Sequence, residues 1–211
     1  VWIMPNPGDA GSCIGVAQKF NKADWNLNWK TPYLGYNIEG DYPVEKTLET
    51  LLKGEIVGIA NGRAEFGPRA LGNRTLTSDP RGPGVKDKMN EIKRRQKFRP
   101  FAPMILEEDV HEYFEMPENI TQSPYMQFIA KCKYPKEFPA ITHIDGTSRV
   151  QTVNQLQHPD LYMLLSSFKE ETGCPMLVNT SLNIKGKPIV NDEQDARDFT
   201  KHYDVKVFTS D

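Results

Sequence analysis

Short apolar runs that follow helix-patterned stretches and empty into polar loops limit this fold more than any other feature. Ile56-Val57-Gly58-Ile59-Ala60 and Pro175-Met176-Leu177-Val178 read as short buried strands. Ala102 to Leu106, Thr75-Leu76-Thr77, Tyr125 to Ala130 and Val205 to Phe208 read as further strands. Helical patterns lie between them. One opens at Asp41-Tyr42-Pro43, with Leu48, Leu51 and Leu52 as its apolar face and Gly54 at its end. A second, capped by Asp160, carries Leu161, Leu164, Leu165 and Phe168 on one face and stops at Gly173. Glu107 to Phe114 reads as a short helix, and Asp192 to Tyr203 as a final capped one. Ile141 to Asn154 reads as two strand-like runs about an Asp145-Gly146-Thr147 turn. Helices interleaved with strands, without an internal repeat, define an α/β class.

The 211 residues suffice for one large domain, or one domain plus a fragment. A net charge of −2 and a pI near 6.1 argue against a general nucleic-acid coat or an anionic-membrane binder. Cys13, Cys132 and Cys174 lie far apart without metal-ligand spacing and read as reduced thiols of a cytosolic protein. No apolar run approaches the ~20 residues that span a bilayer, and no signal-peptide pattern is present. The sequence opens on Val1 rather than Met, so it is expected to be cut from something longer. Val1 to Phe20 reads as a strand, a Pro5-Asn6-Pro7 turn, a Gly8-Asp9-Ala10-Gly11 loop and a helix capped by Ser12. Asp9 is a candidate metal or phosphate-site ligand there. Lys19 to Tyr36, with Trp25, Trp29 and Tyr33, reads as a linker whose aromatics pack on a neighbour.

Chemistry concentrates in four places. Asn90 to Pro103 places Lys93, Arg94, Arg95 and Lys97 at the end of a helical pattern that Pro100 and Pro103 break. Phe98 and Phe101 are the expected anchors of the extended part, and Arg99 is aimed by it. Cations held this way suit a nucleotide phosphate, or equally a solvated helix end. The loop Asn61 to Arg74 combines Gly62, Gly67 and Gly72 with Arg63, Arg69 and Arg74 just past a strand. Glycines let backbone N–H groups approach an anion, and arginines bind phosphate oxygens in pairs. Alternation puts Arg149 and Gln151 on one strand face. Asn179-Thr180-Ser181-Leu182-Asn183 ends an apolar strand, the usual place for ligand contacts in α/β proteins.

Together these four stretches resemble the carbamoyltransferase C-terminal domain of the NodU and tobramycin carbamoyltransferase family, over roughly Tyr36 to the end. The resemblance implies an open twisted mixed sheet with flanking helices, YrdC-like, over residues 37–211. Lys93-Arg94-Arg95 is similar to the Lys-x-Arg half of the YrdC phosphate-binding pattern and Ser181-Leu182-Asn183 to its Ser-x-Asn half; Gln96 stands where the family usually has glutamate. Residues 1–36 look like the tail of an actin-like transferase domain whose matching aspartate, here Asp9, ligates iron beside a His-x-x-x-His pair that this sequence lacks.

The implied activity is formation of carbamoyladenylate and pyrophosphate from carbamoyl phosphate and ATP with Mg²⁺, for transfer to an acceptor hydroxyl of a sugar or natural product. The implied catalytic residues are Lys93 and Arg99, and the implied substrate-binding residues are Arg69, Arg95, Arg149, Ser181, Asn183 and Asn179. The competing classes are a threonylcarbamoyl-adenylate synthase, an RNA-binding relative of YrdC, and a non-catalytic nucleotide-binding domain.

Overall fold

The computed structural model describes residues 8, 11–21 and 31–211. In chain order these form α1 (Ser12–Asn21), β1 (Tyr33–Ile38), α2 (Val44–Leu52), β2 (Val57–Ala60), β3 (Gly62–Glu65), β4 (Arg74–Thr77), α3 (Val85–Ile92) and β5 (Ala102–Leu106). There follow α4 (Val110–Tyr113), β6 (Phe114–Glu115), β7 (Phe128–Cys132), β8 (Thr147–Val153), α5 (Pro159–Thr172), β9 (Met176–Ser181), α6 (Glu193–Tyr203) and β10 (Val207–Phe208). The class is α/β. Eight strands make one open mixed sheet in the order β10-β2-β4-β9-β5-β8-β7-β6. Only β10 with β2 and β5 with β8 run parallel; the other neighbours are antiparallel.

The apolar runs become the middle of this sheet. Every residue of β2, β4 and β5 is buried, as expected of strands covered on both faces. Leu161, Leu164, Leu165 and Phe168 bring α5 onto the same core, and α2 packs against α5. Asp192 caps α6 by accepting the Asp195 amide at 3.0 Å.

Several expectations need correction. Tyr33 to Tyr36 is not linker but the start of β1, which pairs antiparallel with β3 as a second, two-stranded sheet. Within α2, Thr47, Thr50 and Leu51 are buried whereas Leu52 is exposed, because the inward stripe sits one residue back. The cap of α5 is His158, whose Nδ1 accepts the Leu161 amide at 3.1 Å. Pro159 at the first helical position moves the cap back, leaving Asp160 inside the first turn. Ile141 to Ile144 forms no strand, so no hairpin precedes β8. The strand, turn and Asp9 read before α1, with Trp25 and Trp29, lie outside the described residues.

Candidate functional site

Antiparallel pairing sets Ala102 of β5 beside Asn179 of β9, and parallel pairing sets Met104 beside Gln151 of β8. Thr75 of β4 stands opposite Ser181. Alternation then brings Arg149 with Gln151, and Asn179 with Ser181, onto one sheet face. Over that face lies a cleft of about 500 Å³. Arg69, Arg95, Arg99 and Arg149 line it, together with Asn179, Thr180, Ser181 and His143. Among the described residues no aspartate or glutamate does.

Arg69 arrives on a loop whose following residues, Ala70 to Arg74, are bonded through their backbone. One Glu65 carboxylate oxygen accepts the amides of Leu71 at 2.7 Å, Asn73 at 2.8 Å and Arg74 at 3.2 Å. Burial raises the Glu65 pKa and those three amides oppose the rise. Tyr33 and Gln151 both donate to the Leu71 carbonyl, and Tyr42 donates to that of Gly72. Gly72 has φ +129°, and a Cβ there would stand 2.8 Å from Leu161 Cδ2, so only glycine fits. Arg74 does not reach the cleft. It is fully buried and donates to the carbonyls of Asn61, Gly62, Asn73, Tyr36 and Asn191.

The basic run reaches the same cleft by a different device. The helix α3 ends at Ile92, before the cations, in a Schellman turn. Arg94 takes φ +51°, its amide bonds to Glu91 and that of Arg95 to Asn90. Lys93, Arg94 and Lys97 lie past the last helical residue, and each leaves in its own direction. Arg94 lies over Tyr203, and Lys97 pairs with Glu91 at the surface. Buried Asn90 holds the loop by donating to the carbonyls of Lys97 and Arg99 while accepting from Arg95 Nε. The Arg95 guanidinium stacks 4.2 Å above the Phe101 ring. Phe101 is the buried anchor; Phe98 is 75% exposed at the cleft rim and anchors nothing.

Lys93 is 4% exposed and lies beside the cleft rather than in its lining. Its Nζ donates to the carbonyls of Ser181 and Asn183 and to Asn183 Oδ1, the last at 3.1 Å. Ser181 Oγ donates to the same Oδ1 at 2.7 Å. Burial, then the Arg95 charge, lowers the Lys93 pKa to about 7. The arginines form two like-charged pairs. Burial and then Arg99 bring Arg95 down to about 10, while burial and then Arg69 lower Arg149. Arg149 Nε is buried with no hydrogen-bond partner among the described residues. Charge here is packed against charge, with no carboxylate among the described residues of the lining to offset it.

Of the residues anticipated as site residues, the structure gathers Arg69, Arg95, Arg99, Arg149, Asn179 and Ser181 around one cleft. Lys93 and Asn183 stand just outside it, joined to Ser181. Asp9 lies outside the described residues, and among those described no group of three His, Cys, Asp or Glu could hold a metal. Thr180, His143 and the organising residues Asn90 and Glu65 were not anticipated. Their positions beside the cationic stretches, Asn90 just before Lys93 and Glu65 between Arg63 and Arg69, were the available signal for the last two.

A family model for the carbamoyltransferase C-terminus matches residues 48–210. The nodulation protein NolO of Bradyrhizobium diazoefficiens is 44% identical over 149 residues, covering 69% of this chain and 27% of that protein. The 3'-hydroxymethylcephem-O-carbamoyltransferase of Amycolatopsis lactamdurans is 35% identical over 211 residues, covering 90% of this chain and 39% of its own. The chain thus spans well under half the length of these relatives. Among solved structures, T. kodakarensis HypF superposes with a TM-score of 0.58 at 23% identity, over 80% of this chain and 21% of that one, a likeness of fold. With the match extending over most of its length and the relatives agreeing, the chain belongs to the carbamoyltransferase C-terminal family.

Proposed function

We propose that the chain from β1 onward forms the carbamoyladenylate-making part of an O-carbamoyltransferase, and that the residues before β1 are the edge of the domain that carries out transfer. One observation carries this reading: four arginines from three separate segments share a cleft in which, among the described residues, no acidic residue faces them. Two adjacent guanidinium pairs repel until a polyanion enters, so the site favours a triphosphate over a monoanion. Adenylate formation requires little else from protein. A carbamate oxygen, freed from carbamoyl phosphate by hydrolysis with loss of inorganic phosphate, attacks the α-phosphorus of ATP. The bond to the β-phosphate breaks and pyrophosphate leaves. Charge neutralisation and in-line positioning account for most of the acceleration in such displacements.

Arg69 and Arg149 on one side, and Arg95 and Arg99 on the other, neutralise the phosphates and the carbamoyl oxygen. Ser181 Oγ can turn its hydrogen from Asn183 to a phosphate oxygen, because Lys93 Nζ still bonds Asn183 Oδ1. Lys93 acts in this scheme by setting Ser181 and Asn183 in place. With no carboxylate among the described residues lining the cleft, Mg²⁺ would enter on ATP and supply further phosphate neutralisation. Asp9 and the iron site belong to the transfer domain, as does most of the acceptor hydroxyl's pocket. The reaction draws on nucleotide and carbamoyl phosphate of the cytoplasm. No helix among the described residues is long and apolar enough to cross a membrane.

Pyrophosphate release by this chain tests the proposal. ATP and carbamoyl phosphate together should release it, and either alone should not. Binding of an anion also favours protonated Lys93, so ATP binding near pH 7.5 should take up protons, seen as a buffer-dependent calorimetric enthalpy. Release driven by threonine and bicarbonate instead would move the chain to the threonylcarbamoyl-adenylate class. ATP binding without any pyrophosphate release, in the chain or in the full-length protein, would leave a nucleotide-binding domain without catalysis.

A further inference from the structure

We propose that Gln151 and Asn179 are positioning residues, whose amide pair clasps the Arg69 loop to the sheet and holds Arg69 against the repulsion of Arg149. The inference rests on the anion-cleft reading above. The strands β8 and β9 both flank β5, so their backbones stand roughly 10 Å apart. An asparagine and a glutamine still meet across that gap, with Asn179 Nδ2 donating to Gln151 Oε1. They meet across β5, where Ala102 is paired with Asn179 and Met104 with Gln151.

The clasp is directed at one loop. The other Asn179 amide bond runs to the Ala70 carbonyl at 2.9 Å, and Gln151 Nε2 donates to the Leu71 carbonyl at 3.1 Å. Thr75 Oγ1 donates to Asn179 Oδ1 and accepts the Gly72 amide, so a third strand closes the network on the same loop. Asn179 lines the cleft, yet both its amide hydrogens and its oxygen are engaged by protein. It therefore serves the two residues that follow Arg69 rather than the ligand. The need for a clasp is electrostatic. Burial and then Arg69 lower the Arg149 pKa, so the two cations lie close enough to repel, and the clasp opposes that repulsion. Gln151 sits two residues from Arg149 on the same strand face, so the clasp ties both halves of the cation pair to one frame.

A double-mutant cycle on ATP affinity, measured by calorimetry on the full chain, tests this. Gln151→Met keeps the length and removes both amide bonds. It should weaken ATP binding about tenfold or more, the loss expected when one charge-assisted hydrogen bond from Arg69 is misplaced. In the Arg69→Ala background the same change should alter affinity less than about twofold, because nothing remains to position. Unchanged affinity in Gln151→Met, or losses that multiply in the double variant, would overturn the inference while the cleft reading stands. Unchanged ATP affinity in Arg69→Ala itself would sink the cleft reading and the clasp with it. Should Gln151→Met not fold, Asn179→Leu breaks the same amide pair from the β9 side and enters the same cycle with the same expected non-additivity.

Discussion

Arg69 and Arg74 leave one loop five residues apart and meet opposite fates. Arg74 turns into the protein, where five backbone carbonyls and the nearby Glu65 charge receive it. Arg69 turns out into the cleft, where Arg149 is its charged neighbour. The first cation is satisfied by the fold and the second is left for a ligand. A loop rich in arginine is therefore neither wholly scaffold nor wholly site: one guanidinium shapes the turn so that the other can remain unpaired. The division recurs in the basic run, where Lys93 is spent on Ser181 and Asn183 while Arg95 and Arg99 face the cleft.

The sharpest way to break this comparison is to exchange stability for activity. Arg74→Met should destabilise the chain by about 3–5 kcal/mol in denaturant unfolding, because the carbonyls that surround it lose a buried charged partner. A loss under about 1 kcal/mol would show that Arg74 is not structural. Arg69→Ala and Arg149→Ala should do the reverse. Each should lower the rate of pyrophosphate release by about 10²–10³ with no loss of stability, since relieving like-charge repulsion does not weaken the fold.

A smaller effect concerns His158, whose Nε2 bonds Asn73 Oδ1 at 2.8 Å while Nδ1 caps α5. With Nδ1 accepting, the ring is neutral and Nε2 is the donor. Burial holds its pKa down at about 4. The unfolded chain takes up a proton below about pH 6.5 that the folded chain refuses. Stability should therefore fall as pH drops from about 6.5 to about 4, by at most about 3 kcal/mol, and no further from this group below that. His158→Asn, which keeps a capping oxygen, should flatten that slope in denaturant titrations at pH 7 and pH 4.5. The smallest effect should be Phe98→Ala, within about 0.5 kcal/mol of the parent, against about 3–5 kcal/mol for Phe101→Ala. Equal losses would restore Phe98 as an anchor.

Much of the framework was legible in the residues. Continuous apolar runs such as Ile56 to Ala60 and Pro175 to Val178 can only be buried, and they became central strands. Gly54 and Gly173 ended their helices because both sit at positive φ. The errors came where a neighbour outweighed local pattern. Ile141 to Ile144 looks like a strand but finds no partner edge, and Leu52 falls outside the stripe that α5 covers.

What the sequence by itself determined is the α/β class, the family and the set of cations available, because these depend on periodicity and residue type along the chain. Which cations remain open was decided only in three dimensions. That choice depends on hydrogen bonds between residues far apart in order: Asn90 with the loop after α3, Lys93 with Asn183, and Asn179 with Ala70 and Gln151. A guanidinium is structural or ligand-ready according to whether carbonyl oxygens surround it, and no local pattern carries that information.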